Sequence, residues 1–251
     1  PPPGWVFLVG LAAAGAGREW ARLCDVSANT TRLLAVAIAV AAWGLGYAIP
    51  AAYGMVLIVV ACVFWLVVAP LWLHFKWPLR GPAGALMGAV LLCAAALALI
   101  RLREISPFFL LSLMLLVWVA DSAAYFCGRA FGRHKLAVHI SPGKTWEGAA
   151  GGLLGVLLVG WLLNQHAVAH GLPAFDPAWI VPQLCLLTAL SIIGDLFESM
   201  MKRAAGFKDS GTLLPGHGGV LDRIDSLLPT LPIGLVLVSL HAHGLVFFLS
   251  K

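Results

Sequence analysis

The chain is a succession of long apolar runs separated by short polar breaks, and that pattern leaves few ways to fold. Eight runs stand out, at roughly Trp5–Cys24, Leu33–Ile49, Tyr53–Val68, Ala83–Ile100, Pro107–Cys127, Gly148–Gln165, Trp179–Met200 and Leu227–Leu249. Each is near the ~20 residues that carry a helix across ~30 Å of hydrocarbon. The runs are continuous rather than alternating, which excludes the strands of a membrane barrel. Pro50, Pro70, Pro78, Pro82, Pro107 and Pro173 punctuate the gaps, as helix breakers do. Only 11% of the 251 residues are charged, against about a quarter in soluble domains. The expected fold is all-α: a polytopic transmembrane protein of about eight spans, with helices over 1–106 followed by helices over 107–251 in one membrane unit.

The placement of positive charge orients the bundle. Thirteen of the sixteen Lys and Arg fall in the alternate connections that share one side: Arg18, Arg22 and Arg32; Lys76 and Arg80; Arg129, Arg133, Lys135 and Lys144; Lys202, Arg203, Lys208 and Arg223. That side is expected to be cytoplasmic. Pro1 then starts on the outer side, and an inner-starting protein would need one more helix before it. No long basic run interleaved with aromatics appears, so nucleic acid is not an expected partner. Cys24, Cys62, Cys93, Cys127 and Cys185 form no C-x-x-C pair and read as small buried hydrophobes.

The acidic residues are scarcer. Seven of the eleven stand at the inner ends of the last four runs: Asp121, Glu147, Asp195, Glu198, Asp209, Asp222 and Asp225. A carboxylate such as Asp121, inside an apolar run, costs about 2.5–3.5 kcal/mol at the bilayer centre on insertion scales, so it should face a polar cavity or a cation. On a helix, Asp195, Ser199 and Lys202 share a face. In the stretch 199–226, Lys202, Arg203, Lys208 and Arg223 alternate with Asp209, Asp222 and Asp225 around His217, Gly218 and Gly219. Adjacent glycines allow left-handed backbone and close approach, and amides in such a turn can bind anions. Asp222 and Asp225 also sit where helix N-terminal carboxylates would. Residues 140–148, ISPGKTWEG, place Ser141, Lys144 and Thr145 in a loop entering a helix, with Glu147 at its start. They do not make a Walker A motif, because Val138 stands where its first glycine belongs. Carboxylates for a hard divalent cation beside many cations for phosphate point to phosphoryl or nucleotidyl transfer at a membrane face.

These residues resemble the phosphatidate cytidylyltransferase (CDP-diacylglycerol synthase) family. Its signature, S-x-x-K-R-x4-K-D, a spacer, then H-G-G-x-x-D-R-x-D, is matched by Ser199, Lys202, Arg203, Lys208, Asp209, His217, Gly218, Gly219, Asp222, Arg223 and Asp225. Family-like pieces also include Asp121–Tyr125, Ser141–Thr145 with Glu147-Gly148, Gly194-Asp195, and Arg18-Glu19-Trp20. Gly143 stands where family members often carry a second lysine.

The resemblance implies the reaction CTP + phosphatidate → CDP-diacylglycerol + pyrophosphate, with Mg²⁺, at the cytoplasmic face of a bacterial inner membrane. It implies a metal on Asp195 and Asp222, and phosphates neutralised by Lys144, Lys202, Arg203, Lys208 and Arg223. It also implies substrate contacts from Asp121, Ser141, Thr145, Glu147, Ser199, Asp209, His217, Gly218, Gly219 and Asp225. CTP, phosphatidic acid and membrane lipids are the implied partners, and a homodimer the implied assembly. A CTP-dependent polyprenol or phytol kinase would instead transfer the γ-phosphate and release CDP. A transporter with a polar inner gate would spread charge along a path to both faces, whereas here the outer half is nearly uncharged.

Overall fold

The computed structural model describes residues 1–48, 51–77, 80–172, 174–213, 216 and 218–242. The chain forms helices α1 (Pro3–Leu23), α2 (Ala28–Tyr47), α3 (Ala51–Val63), α4 (Ala69–Phe75), α5 (Gly81–Ile105), α6 (Pro107–Phe131), α7 (Trp146–Ala169), α8 (Pro177–Ala204), the short α9 (Leu221–Ile224) and α10 (Leu227–Ala242). A π-helical turn, Phe64–Val68, joins α3 to α4. The antiparallel strands β1 (Lys135–Ala137) and β2 (Ser141–Thr145) make a small hairpin before α7. Lipid offers no partner to a bare amide or carbonyl, so only helices that satisfy their own backbone can occupy the core of a bilayer in a chain of this pattern.

Seven helices among the described residues are long and apolar enough to cross a membrane. They make the chain an integral membrane protein. The first expected span is helical as α1 but is not one of the seven, because Arg18, Glu19 and Arg22 crowd its last turns. Helix α1 packs instead as a core element, with Trp20, Ala16 and Glu19 buried. The last expected span continues beyond Ala242, outside the described residues.

Helix α5 is the centre of the first half and touches α1, α2, α3, α6 and α10. Its small residues Gly84, Gly88, Ala94, Ala95, Ala96 and Ala98 are buried and let neighbouring backbones approach, as small residues do in membrane bundles. The Trp20 indole lies where a side chain on Gly88 would be and donates its N–H to the Gly84 carbonyl at 3.0 Å, which satisfies a buried tryptophan. In the second half, α6 and α7 make the closest pair: Gly148, Gly151 and Gly152 of α7 lie against Ala120, Ala124, Cys127 and Gly128 of α6. The π turn delivers Phe64 and Trp65 to Phe197 of α8, at ring separations of 5.5 and 5.6 Å. Trp72 and Trp20 complete the ring around Phe197 at 6.1 and 6.2 Å. This aromatic nest fixes the end of α8 that carries the polar residues.

The polar connections gather at that end. Arg80 donates to the Ala204 carbonyl at 2.7 Å, the Gly81 amide to the Cys24 carbonyl at 2.6 Å, and the Arg22 guanidinium lies 4.9 Å from the centre of the Phe207 ring. Arg101 and Arg103 lie at the other end, where Arg101 pairs with Glu104 at 2.8 Å and Arg103 stacks on Trp5 at 4.8 Å.

Packing at Gly88 gives a direct check. Overfilling a well-packed core typically costs about 1–3 kcal/mol, so Gly88→Ala is expected to lower the thermal unfolding temperature in detergent. Gly4→Ala, which meets open space, is expected to leave it unchanged.

Candidate functional site

Two polar assemblies share the inner turns of α8. The first is a cavity of about 390 Å³ between α6, the hairpin, α7 and α8. Asp121, Tyr125 and Arg129 of α6 line it, with Ser141, Gly143, Lys144 and Thr145 of β2, and Thr188, Ser191 and Asp195 of α8. Lys144 pairs with Asp195 at 2.6 Å. Ser191 donates to Asp121 at 3.4 Å, and Arg129 to the Tyr125 hydroxyl at 3.3 Å. The glycine stripe of α7 makes this geometry: a side chain at Gly148 or Gly152 would strike the α6 backbone at Ala124 or Ala120.

The hairpin aims Lys144 inward. Thr145 caps α7, its hydroxyl accepting from the Gly148 amide at 3.1 Å, as N-cap threonines do. Glu147 accepts from the Arg133 amide at 3.1 Å and sits 2.6 Å from His134 Nδ1. It ties down the base of the hairpin and does not line the cavity.

The second assembly lies between α1, the end of α8 and the segment leading into α9. Lys202 pairs with Glu198 on its own helix and with Asp222 at 2.7 Å. The Asp222 carboxylate also accepts from the Ser210 amide at 3.0 Å, the Ser210 hydroxyl at 2.9 Å and the Gly219 amide at 2.8 Å. Gly218 supplies the turn with φ +81°, a left-handed conformation that glycine adopts without a Cβ penalty. The space beside Gly219 is filled by Ser210 and Glu19.

Glu19 is the residue that the sequence pattern singled out least. It is 3% exposed and reaches across from α1 to accept from the Val220 amide at 3.1 Å and the Leu221 amide at 2.8 Å, and it shares the single Ser210 hydroxyl proton with Asp222, at 3.1 Å from that oxygen. The one local signal is its place in Arg18-Glu19-Trp20, since partners 191 to 202 residues away leave no trace in periodicity. Arg129, Thr188 and Ser191 were likewise unmarked as site residues and line the cavity.

The two assemblies meet along α8. Ser199 donates to Asp195 at 3.2 Å, and a side chain at Gly194 would strike the Asp225 carbonyl and Pro229. The carboxylates of Asp121, Asp195 and Asp225 are close enough to repel one another. Arg203, Lys208, Asp209 and Arg223 are exposed and do not line the cavity, and His217 lies outside the described residues.

Among the described residues, no three His, Cys, Asp or Glu side chains stand close enough together to hold a metal ion between them. Asp195 and Asp222 are instead separate hard donors, each beside a lysine. Mg²⁺ characteristically takes one or two carboxylates and completes its shell with phosphate oxygens and water. The donor set fits an ion that arrives with a phosphorylated substrate.

Fold and site together define an integral membrane protein with a chamber at one end of a helical bundle, lined by Arg129 and Lys144 beside Asp121 and Asp195. A family model described as the Cytidylyltransferase family matches residues 2–241, and the chain belongs to that family. A phosphatidate cytidylyltransferase of Pseudomonas aeruginosa is 36% identical over 241 residues, covering 91% of this chain and 84% of that protein. One from Haemophilus influenzae is 48% identical over 125 residues, 50% of this chain and 43% of the relative. One from Brucella suis is 49% identical over 138 residues, 53% and 49% respectively.

Because a buried donor left unpaired costs about 1–3 kcal/mol, Glu19→Gln is expected to loosen the segment into α9. Trypsin should then cut after the exposed Lys208 faster than in wild type, while Glu104→Gln at the opposite end should not change the rate. An unchanged rate in Glu19→Gln would contradict the assignment.

Proposed function

We propose that the protein is a CTP:phosphatidate cytidylyltransferase, which makes CDP-diacylglycerol and pyrophosphate in phospholipid biosynthesis. The observation that carries this reading is the pairing of Asp195 with Lys144 and of Asp222 with Lys202, in a chain whose relatives bear that name. Each pair offers a carboxylate to a divalent cation and a lysine to a phosphate once the pair opens.

The reaction asks little of the protein in proton transfer. A phosphomonoester has its second pKa near 6 and is largely ionised at neutral pH. A phosphatidate oxygen attacks the α-phosphorus of CTP; the new P–O–P bond forms as the α–β bond breaks, and pyrophosphate leaves with the bonding pair. The task is to bring two anions together and to stabilise the charge on the departing group. Lys144, inside the cavity, and Lys202, farther along α8, would neutralise two phosphate groups, together with the exposed Arg203, Lys208 and Arg223. Ser141, Thr145 and the His217-Gly218-Gly219 turn would position the nucleotide. Asp121, Ser199, Asp209, Asp225 and Glu147 would act as further contacts or supports.

Mg²⁺ held by Asp195 and Asp222 would offset the triphosphate charge and draw electron density from the α-phosphorus. The concentration of Lys and Arg in alternate connections supports a bacterial inner-membrane protein with the site on its cytoplasmic face. The family resemblance supports a homodimer.

Purified protein in mixed micelles with [α-³²P]CTP and phosphatidate is expected to yield labelled CDP-lipid and unlabelled pyrophosphate. Release of CDP with a phosphorylated lipid would instead identify a lipid kinase. Asp195→Asn and Asp222→Asn, in folded protein, are expected to lower turnover by about 10²-fold or more, the scale seen when a group that stabilises transition-state charge is removed. Wild-type-like turnover in either would overturn the metal assignment.

A further inference from the structure

Asp195 and Asp222 do not present their oxygens alike. Asp195 is the looser of the two. One of its oxygens faces Lys144 at 2.6 Å and the other accepts from the Ser199 hydroxyl at 3.2 Å, so a side-chain rotation releases either. The two oxygens of Asp222 differ from each other. Oδ1 faces Lys202 at 2.7 Å, with one longer contact of 3.2 Å to the Ser210 amide. Oδ2 accepts from the Ser210 amide at 3.0 Å and the Gly219 amide at 2.8 Å. It also competes with Glu19 for the Ser210 hydroxyl proton, at 2.9 Å against 3.1 Å.

Oδ2 is therefore tied mainly to backbone, and no side-chain rotation frees it. Ser210 is fully buried, and Glu19 holds the wall from behind by taking the Val220 and Leu221 amides, next in the chain after Gly219. Ser210 Oγ and the Glu19 carboxylate fill the space beside Gly219. Hydrogen bonds to an ionised carboxylate are roughly twice as strong as neutral ones. Such a presentation suits one class of cation. Mg²⁺ needs a near-octahedral shell of oxygens at about 2.0–2.1 Å, whereas Ca²⁺ takes more oxygens at about 2.3–2.6 Å and accepts both oxygens of one carboxylate. The two oxygens of a carboxylate are too close together for adjacent corners of the small octahedron, but they fit the larger shell. With Oδ2 tied down, Asp222 can give one oxygen to a small ion and cannot give Ca²⁺ its second.

We infer that Ser210 and Glu19 are positioning residues that set ion specificity: by occupying Asp222 Oδ2 they leave Oδ1 alone for a cation, and so select a small octahedral ion such as Mg²⁺ or Mn²⁺ against Ca²⁺. The inference rests on the proposed placement of the cation at Asp222 and adds what chooses the ion. Glu19 acts from α1 through Ser210 and the 219–221 backbone, without contact with the cation. Asp195, whose oxygens are both releasable, does not discriminate, so the choice is made at Asp222.

The test counts bound Mn²⁺ in detergent-purified protein with CTP and no phosphatidate, where no turnover occurs. Binding is read as loss of the free-ion EPR signal, corrected by protein-free CTP samples, and Ca²⁺ is then titrated in. In wild type, equimolar Ca²⁺ is expected to leave the Mn²⁺ bound. Ser210→Ala removes the hydroxyl and opens the side of Oδ2, and Glu19→Gln releases the wall behind it. Each is expected to shift the ratio of Ca²⁺ to Mn²⁺ affinity toward Ca²⁺ by about tenfold, the scale of one lost hydrogen bond to a charged group. Glu104→Gln, at the other end of the bundle, should not move it. Simple loosening of the segment would weaken both ions together, so an unchanged ratio in Ser210→Ala and Glu19→Gln would overturn the inference. Equal Mn²⁺ binding by wild type and Asp222→Asn would also overturn it, by placing the ion elsewhere. If Glu19→Gln does not fold, Ser210→Ala decides. A shifted ratio in the variants, with wild type unable to convert CTP and phosphatidate to CDP-lipid, would support the ion selection and sink the reading of the reaction.

Discussion

A single buried carboxylate on the first helix holds the reactive segment in place. Glu19 takes donors from Ser210, Val220 and Leu221, and the same Ser210 and the neighbouring Gly219 hold Asp222. The path from α1 to Asp222 is therefore one hydrogen-bonded unit. It explains why Gly211 and Gly219 have no side chains, since a Cβ at either would run into Glu19. It also explains what an otherwise poor membrane span is doing: α1 brings an acid to a loop that has too little apolar surface to order itself.

Three of the carboxylates at this end of the bundle share two lysines. Asp195 has Lys144, and Glu198 and Asp222 share Lys202. Breaking the more buried pairs around Lys202 from one side costs about 3–5 kcal/mol, because the other charge is stranded. On the proposed reading, a triphosphate with its cation would exchange both partners at once and leave no charge stranded at either lysine or carboxylate. The aromatic nest around Phe197 and the glycine contacts between α6 and α7 fix the walls, so that such an exchange would take place in side chains and not in the bundle.

How much of this was legible depends on the range over which each residue is determined. The helices were, because the bilayer forces every apolar run into the one backbone form that satisfies itself. The shared face of Asp195, Ser199 and Lys202 was also readable, and Ser199 does donate to Asp195. The partners of those residues were not: Lys202 reaches Asp222 from a different helix, and Asp195 is claimed by Lys144 from the hairpin. The hairpin reads as a loop in the sequence, since SPGKT has weak strand propensity and pairs only because α6 and α7 bring its ends together. The π turn at Phe64–Val68 is indistinguishable from ordinary helix in composition. Gly219 was readable as a point of close approach, but the group that approaches it is Glu19, two hundred residues earlier in the chain.

The exchange of ion-pair partners is the claim on which this account turns, and a structure of the protein with CTP and Mg²⁺ tests it most directly. The account predicts that Lys144 leaves Asp195 and Lys202 leaves Asp222, each ammonium moving onto a phosphate oxygen, while the carboxylates turn to the cation and Glu19 keeps its three donors. A nucleotide bound with both lysine–aspartate pairs intact would contradict it.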